Sequence, residues 1–220
     1  MPRCTKQESL ETREALLDAA LEEFHARGVS RPSLTDIAAR VGMSRGAVYV
    51  HFENKSDLLS ALLDRVLVPA QALSSWDVAA DGPLDLLHAT CVFLMRETAT
   101  NRRWRCMLGI AYHKCEKLEE NGAIVGRLQV ARHAARTHMM ELANRAIDAG
   151  ELPSDLDVER AIPLLHCSIL GTISQWLLEP ASFDLAADAE RYADAFLDML
   201  KHSPALRRLP EIELGPGGLR

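Results

Sequence analysis

Apolar residues recur along this chain at intervals of three and four, and no stretch shows the period of two that marks a strand. Leu17, Ala20, Leu21 and Phe24 share one face of a first helix, opened by Ser9 or Thr12 and ended by Gly28, after an N-terminal arm of nine residues. Leu34, Ile37, Ala38 and Val41 form a second, short stripe. Pro32 discourages an earlier helical start there, and Ser33 can cap the first turn. Gly42 supplies a backbone position that tolerates positive φ, so this helix stops. With Met43 it makes a tight turn, and Ser44 caps a third helix, Arg45 to Phe52, that turns Ala47, Val48, Phe52 and Val50 inward. Asn54 and Ser56 offer caps for a long helix from residue 56, carrying Leu58, Leu59, Leu62, Leu63 and Val66 to Val68. Pro69 is expected to kink it before it resumes to Leu73.

The pattern continues beyond a loop at Asp81-Gly82-Pro83. Leu84, Leu87, Cys91, Leu94 and Met95 carry a helix to Ala99; Asn101-Arg102-Arg103 interrupts, and Trp104 to Tyr112 is short and apolar. Asn121-Gly122 marks a turn. A long helix from Ala123 to Ala149 is closed by Gly150 and Pro153. Val158 to Leu178 is apolar nearly all round, the mark of a helix buried on every side. Leu185 to Lys201 has a clean stripe, and the Pro- and Gly-rich residues after Ser203 are expected to be a disordered tail. The fold class is all-α, divided as 1–55, 56–203 and the tail 204–220.

Composition adds limits. At 220 residues, 48% hydrophobic and 25% charged, the chain is an ordinary globular one. Its net charge is −6, yet residues 1–55 carry eight basic and eight acidic side chains, so the later residues hold the whole excess. An acidic bulk confines any DNA contact to the N-terminal end. No signal-like segment opens the chain and no uninterrupted apolar run approaches the roughly 20 residues of a membrane span, so a cytoplasmic location is expected. Five widely spaced cysteines are no disulfide framework.

Chemistry concentrates in the third helix. An exposed glycine costs a surface helix roughly 1 kcal/mol against alanine, so Gly46 makes sense if that turn approaches something closely. A major groove fits: Arg45 can fork onto a guanine edge, with Tyr49, His51 and Lys55 on phosphates. An ordinary amphipathic helix pair satisfies the same spacing. His88 and Cys91 lie on one helical face without further metal ligands. Cys106 and Cys115 on one straight helix would be roughly 13 Å apart in rise, too far for a disulfide. No phosphate-binding loop or nucleophile elbow supports an enzyme.

The string LTDIAARVGMSRGAVYVHFENKSDLL, with KQESLETREALLDAALEEFHARGVSRPSL before it, resembles the DNA-binding domain of the TetR family of transcriptional regulators over residues 6–65. Within that family it is similar to the AcrR/TtgR-like group of multidrug-efflux repressors, which usually carry tryptophan where this chain has Val50. The resemblance implies an N-terminal three-helix helix-turn-helix DNA-binding domain and a C-terminal helical ligand-binding and dimerisation domain. It implies DNA contacts from Ser33, Thr35, Ser44, Arg45, Gly46, Ala47, Tyr49, His51 and Lys55 on a palindromic operator. A homodimer is expected through the last two helices, at Ile169, Ile173, Tyr192, Phe196 and Leu200. Methionine and aromatic side chains suit adaptable cavities. Phe93, Trp104, Met107, Ile110, Met139, His166 and Trp176 are therefore expected around a small hydrophobic or amphipathic inducer, with no cofactor. A redox- or metal-responsive regulator using the cysteines, and a helical enzyme or interaction module, are the alternatives.

Overall fold

The computed structural model describes residues 6–72, 82–114 and 122–209. Among these residues the regular elements are helices: α1 (Lys6–Arg27), α2 (Leu34–Arg40), α3 (Arg45–His51), α4 (Lys55–Ala72), α5 (Pro83–Thr100), α6 (Arg102–Gly109), a π-helical turn Ile110–Lys114, α7 (Gly122–Asp148), α8 (Val158–Leu178) and α9 (Leu185–His202). Residues 6–9 belong to α1 and not to an arm, because the helix needs no cap at Ser9 or Thr12 to begin. The break expected at 101–103 is a single residue. Asn101 ends α5 and starts α6, its Oδ1 accepting the Trp104 N–H at 3.2 Å. The helix assigned to α4 takes in Pro69; its side chains from residue 66 on, and Leu73, lie outside the described residues.

Two apolar cores organise the molecule. One joins Leu17, Leu21 and Phe24 of α1, Ile37 and Ala38 of α2, Val48 of α3 and Leu58, Leu59, Leu62 and Leu63 of α4. One long helix and two of seven residues enclose too little volume by themselves, so this core reaches past residue 55 and also takes Trp104, Cys106, Met107 and Ile110. The other gathers α5, α7, α8 and α9 around Met95, Leu142, Ile162, Ile169, Ile173 and Leu200. Leu94 and Leu108 pack against both.

Ion pairs tie α1 to the later helices. Glu14, Asp18 and Glu22 stand one turn apart on α1. Arg65 binds Glu14 and, at 2.7 Å, Asp18. Arg103 reaches Asp18 at 2.8 Å, and Arg102 holds Glu22 through two bonds that keep the Glu22 carboxyl below its ordinary range.

The chain does not detach after Ser203. Pro204–Leu206 form a 3-10 turn with Leu206 buried. The Asp157 N–H donates to Leu206 O at 2.8 Å, and the Arg208 N–H to Asp155 O at 2.8 Å. The tail expected from residue 204 is thus pinned at its start, because Leu206 supplies an apolar anchor that the surrounding prolines masked in the sequence. Residues 210–220 lie outside the described residues.

Candidate nucleic-acid interface

The helix-turn-helix is built by local hydrogen bonds. Ser33 Oγ accepts the Asp36 N–H at 3.2 Å while the Ser33 N–H donates to Asp36 Oδ2 at 2.8 Å, a reciprocal capping box. The Ser33 hydroxyl and N–H together hold the Asp36 carboxyl below its usual range. At the other end of α2, the Met43 N–H donates to Ala38 O at 2.9 Å and the Gly42 N–H to Ala39 O at 3.1 Å. This pair of bonds needs a left-handed residue after the cap, and Gly42 has φ +71°. Ser44 has the extended backbone of an N-cap residue, but its hydroxyl makes no capping bond. The cap expected there is absent because Ser44 O already anchors the turn, accepting the Ala47 N–H at 3.0 Å.

On α3, Val48 and Phe52 are buried and the remaining face is open. Val50 is 79% exposed, which corrects its expected inward placement: two inward anchors one turn apart leave position 50 on the far side. Arg45 lies 5.9 Å over the Tyr49 ring, so these two exposed side chains form one surface unit. Gly46 sits in the same turn, where an added Cβ would meet nothing nearer than Ser44 Oγ at 4.0 Å. Thr35 is exposed at the start of α2; Ala47 and His51 are half-buried. Ser33 faces solvent with its hydroxyl engaged by Asp36. Lys55 differs from its expected role as an outlying phosphate contact. Its Nζ donates to Ser30 O at 3.0 Å and Pro32 O at 3.4 Å, clamping the loop before α2 to the start of α4. Buried Glu23 of α1 ties down the far end of α2 through Arg40. The result is a rigid mount that presents Arg45, Gly46 and Tyr49 outward.

The family model of the tetR bacterial regulatory proteins matches residues 16–62, and that of the MAATS-type transcriptional repressor C-terminal region matches residues 82–202. The chain belongs to the TetR family. It is 39% identical over 213 residues to the HTH-type transcriptional regulator TtgR of Pseudomonas putida, covering 94% of this chain and 100% of that one. The crystal structure of NalD, the secondary repressor of the MexAB-OprM multidrug efflux pump in Pseudomonas aeruginosa, superposes with a TM-score of 0.80 at 32% identity, covering 90% of this chain and 100% of NalD. SmeT, repressor of the Stenotrophomonas maltophilia multidrug efflux pump SmeDEF, matches as its triclosan complex with a TM-score of 0.76 at 32% identity, over 91% and 100% of the two chains. As a TetR-family member the chain is a DNA-binding transcriptional regulator and not an enzyme, and the family's repressors are dimers.

The TetR-type C-terminal region does not gather the expected ligand residues into one place. Trp104, Met107 and Ile110 belong to the N-terminal core, with Phe93 edge-on to Trp104 at 6.0 Å between ring centroids. Met139 and Trp176 belong to the other core, where the Trp176 indole donates to Phe183 O at 3.2 Å. His166 is half-buried; burial first, then Arg136 and Arg132, lower its proton affinity. The separation has a simple cause. α6 turns Trp104 and Met107 toward α1 and α4, whereas α8 turns Trp176 toward the loop before α9.

The expected dimer residues need a similar correction. Ile169, Ile173 and Leu200 are fully packed inside this chain's own core, so no second copy can reach them. Tyr192 and Phe196 are half-buried at its edge. Outward on α8 lie instead Leu164, Cys167, Gly171 and Leu178, with Leu164 44% and Leu178 63% exposed. An all-round apolar helix offers two faces, and the sequence does not say which one packs internally. By length and composition alone α8 could pass for a bilayer span, with a mean hydropathy of 1.4, as a packed core helix also can, but Glu159, Arg160, His166 and Gln175 leave it no uninterrupted apolar run of that length.

Nothing among the described residues favours the metal or thiol alternatives. No group of metal-binding side chains occurs there. His88 pairs with Asp194 at 3.0 Å, and burial pushes the Cys91 thiol up to about 12, where it is inert. Cys106 is buried, and its expected partner Cys115 lies outside the described residues.

Proposed function

We propose that this TetR-family chain is a cytoplasmic homodimeric repressor of a multidrug efflux system. It holds a palindromic operator through α3 and leaves it when a small hydrophobic or amphipathic molecule binds. The observation that carries the reading is the full-length similarity to NalD and SmeT, two repressors of multidrug efflux pumps. The triclosan complex of SmeT supports an aromatic inducer class.

At the DNA, Arg45 reads a base edge while Thr35, Ser44, Tyr49 and His51 meet the phosphates beside it, and Gly46 lets the backbone come close. The outward stripe of α8, with Tyr192 and Phe196 of α9, forms the dimer face. Two half-sites one helical turn or more apart then require two joined recognition helices. A ligand that prefers the state with misplaced recognition helices shifts the population off the operator. A hundredfold preference amounts to about 2.7 kcal/mol.

Selection of bound DNA from a random-sequence pool tests this. The expected product is a two-fold symmetric site whose complex is dissolved by members of a panel of efflux substrates that includes triclosan. Recovery of an asymmetric site, or a complex indifferent to the whole panel, overturns the reading.

A further inference from the structure

The outermost strip of α3 carries no polar side chain. At about 100° per residue, the buried Val48 and Phe52 fix the inward direction, and Val50 stands opposite it with Gly46 one turn before. Ala47 lies beside them. Arg45 and Tyr49, stacked on each other, occupy one flank and His51 the other. At 79%, Val50 is the most exposed large apolar side chain among the described residues.

Helix stability does not account for this strip. Valine is stiff at χ1 and a poorer helix former than lysine, glutamate or glutamine, and glycine is poorer still. A helix of seven residues is marginal already, so a face turned only to water would be served better by long polar side chains. Here two poor helix formers stand one turn apart on the face that leads away from the core. Helical side chains lean toward the N-terminus, so the Val50 methyls lie over the turn that holds Gly46. The space beside Gly46 is open, and no side chain at 46 screens those methyls.

The family membership makes duplex DNA the object this face approaches. A major groove presents one apolar group, the 5-methyl of thymine; its other base-edge groups are hydrogen-bond donors and acceptors. Valine can satisfy none of the latter and would only strip them of water. We propose that Val50 is a specificity-determining residue that packs on the 5-methyl of one thymine in each half-site, beside the base edge read by Arg45. Gly46 serves the same contact by letting that turn come close. This contact rests on the reading that α3 lies in the major groove, and the experiment separates the two.

In the duplex selected from a random-sequence pool, thymines are replaced by deoxyuridine one symmetric pair at a time, which removes the methyl and keeps every hydrogen-bonding group. Fluorescence anisotropy at fixed salt is expected to reveal one pair at which the unaltered protein binds about fifteenfold more weakly, about fourfold per half-site, the worth of one methyl group taken out of water. Val50→Ala should bind the thymine and uracil duplexes alike. Alanine is the better helix former at this exposed position, so the variant should melt no lower than the unaltered protein. An absent uracil penalty, or one that Val50→Ala retains in full, overturns the proposal. Methylation of guanine N7 by dimethyl sulfate checks the premise, because that atom lines the major groove. Interference there without a uracil penalty sinks the Val50 contact alone, whereas no interference removes the groove reading and the contact with it.

Discussion

Gly46 is a residue the protein itself does not require. Its φ is not in the left-handed region, and a Cβ would enter open space. Gly46→Ala should therefore stabilise the fold by about 1 kcal/mol in thermal unfolding while weakening DNA retention in gel-shift assays. Stability and DNA retention rising together would show that the turn does not approach DNA closely. Arg45→Ala should cost about 1–3 kcal/mol and relax preference at one operator position, read by competition among single-base variants. For Lys55 the clamp onto Ser30 O and Pro32 O changes the forecast. Lys55→Ala should weaken binding by loosening the mount of α2, leaving the slope of log affinity against log salt as it was. A slope reduced by about one would return Lys55 to the phosphate contact read from the sequence.

At the scale of the element, α2 depends on its capping box more than on its length, since seven residues make a marginal helix. Ser33→Ala should destabilise by about 1 kcal/mol. The pH dependence follows from the lowered Asp36 carboxyl. A group with a depressed folded pKa contributes stability above its unfolded value and loses it as pH falls through the folded one. The acid limb of the melting profile should accordingly flatten in Asp36→Asn, and an unaltered limb would count against the box. The ion pairs from α1 to α4 and α6 are of another kind. Most of their side chains are well exposed, so they set the register of the helices more than they stabilise them.

For the whole molecule, the two faces of α8 make opposite forecasts. Ile173→Ala should destabilise each chain by about 2–5 kcal/mol, because it opens a cavity in a packed core. Leu178→Glu alters a side chain that is mostly exposed. It should leave the melting of each chain little changed, yet yield monomers in light scattering and abolish operator binding. A Leu178→Glu protein that remains dimeric would place the interface elsewhere.

Much of the DNA-binding end was legible from its residues because its structure is local. Ser33, Gly42 and the stripe Leu34-Ile37-Ala38 act on neighbours within two turns, so capping, turn and helix follow from short spacings. Tertiary structure alone decided which partner each face meets. Periodicity marks α8 as apolar but does not say that Ile173 faces inward and Leu178 outward. Trp104 and Trp176 look alike as aromatic residues in a C-terminal region, yet helix orientation sends them to different cores. Lys55 looks like a free cation until two carbonyls from residues 30 and 32 come within reach. Leu206 looks like part of a loose tail until residues 155–157 bind the backbone beside it. In each case the deciding contact joins residues distant in sequence, where a local pattern carries no information about the partner.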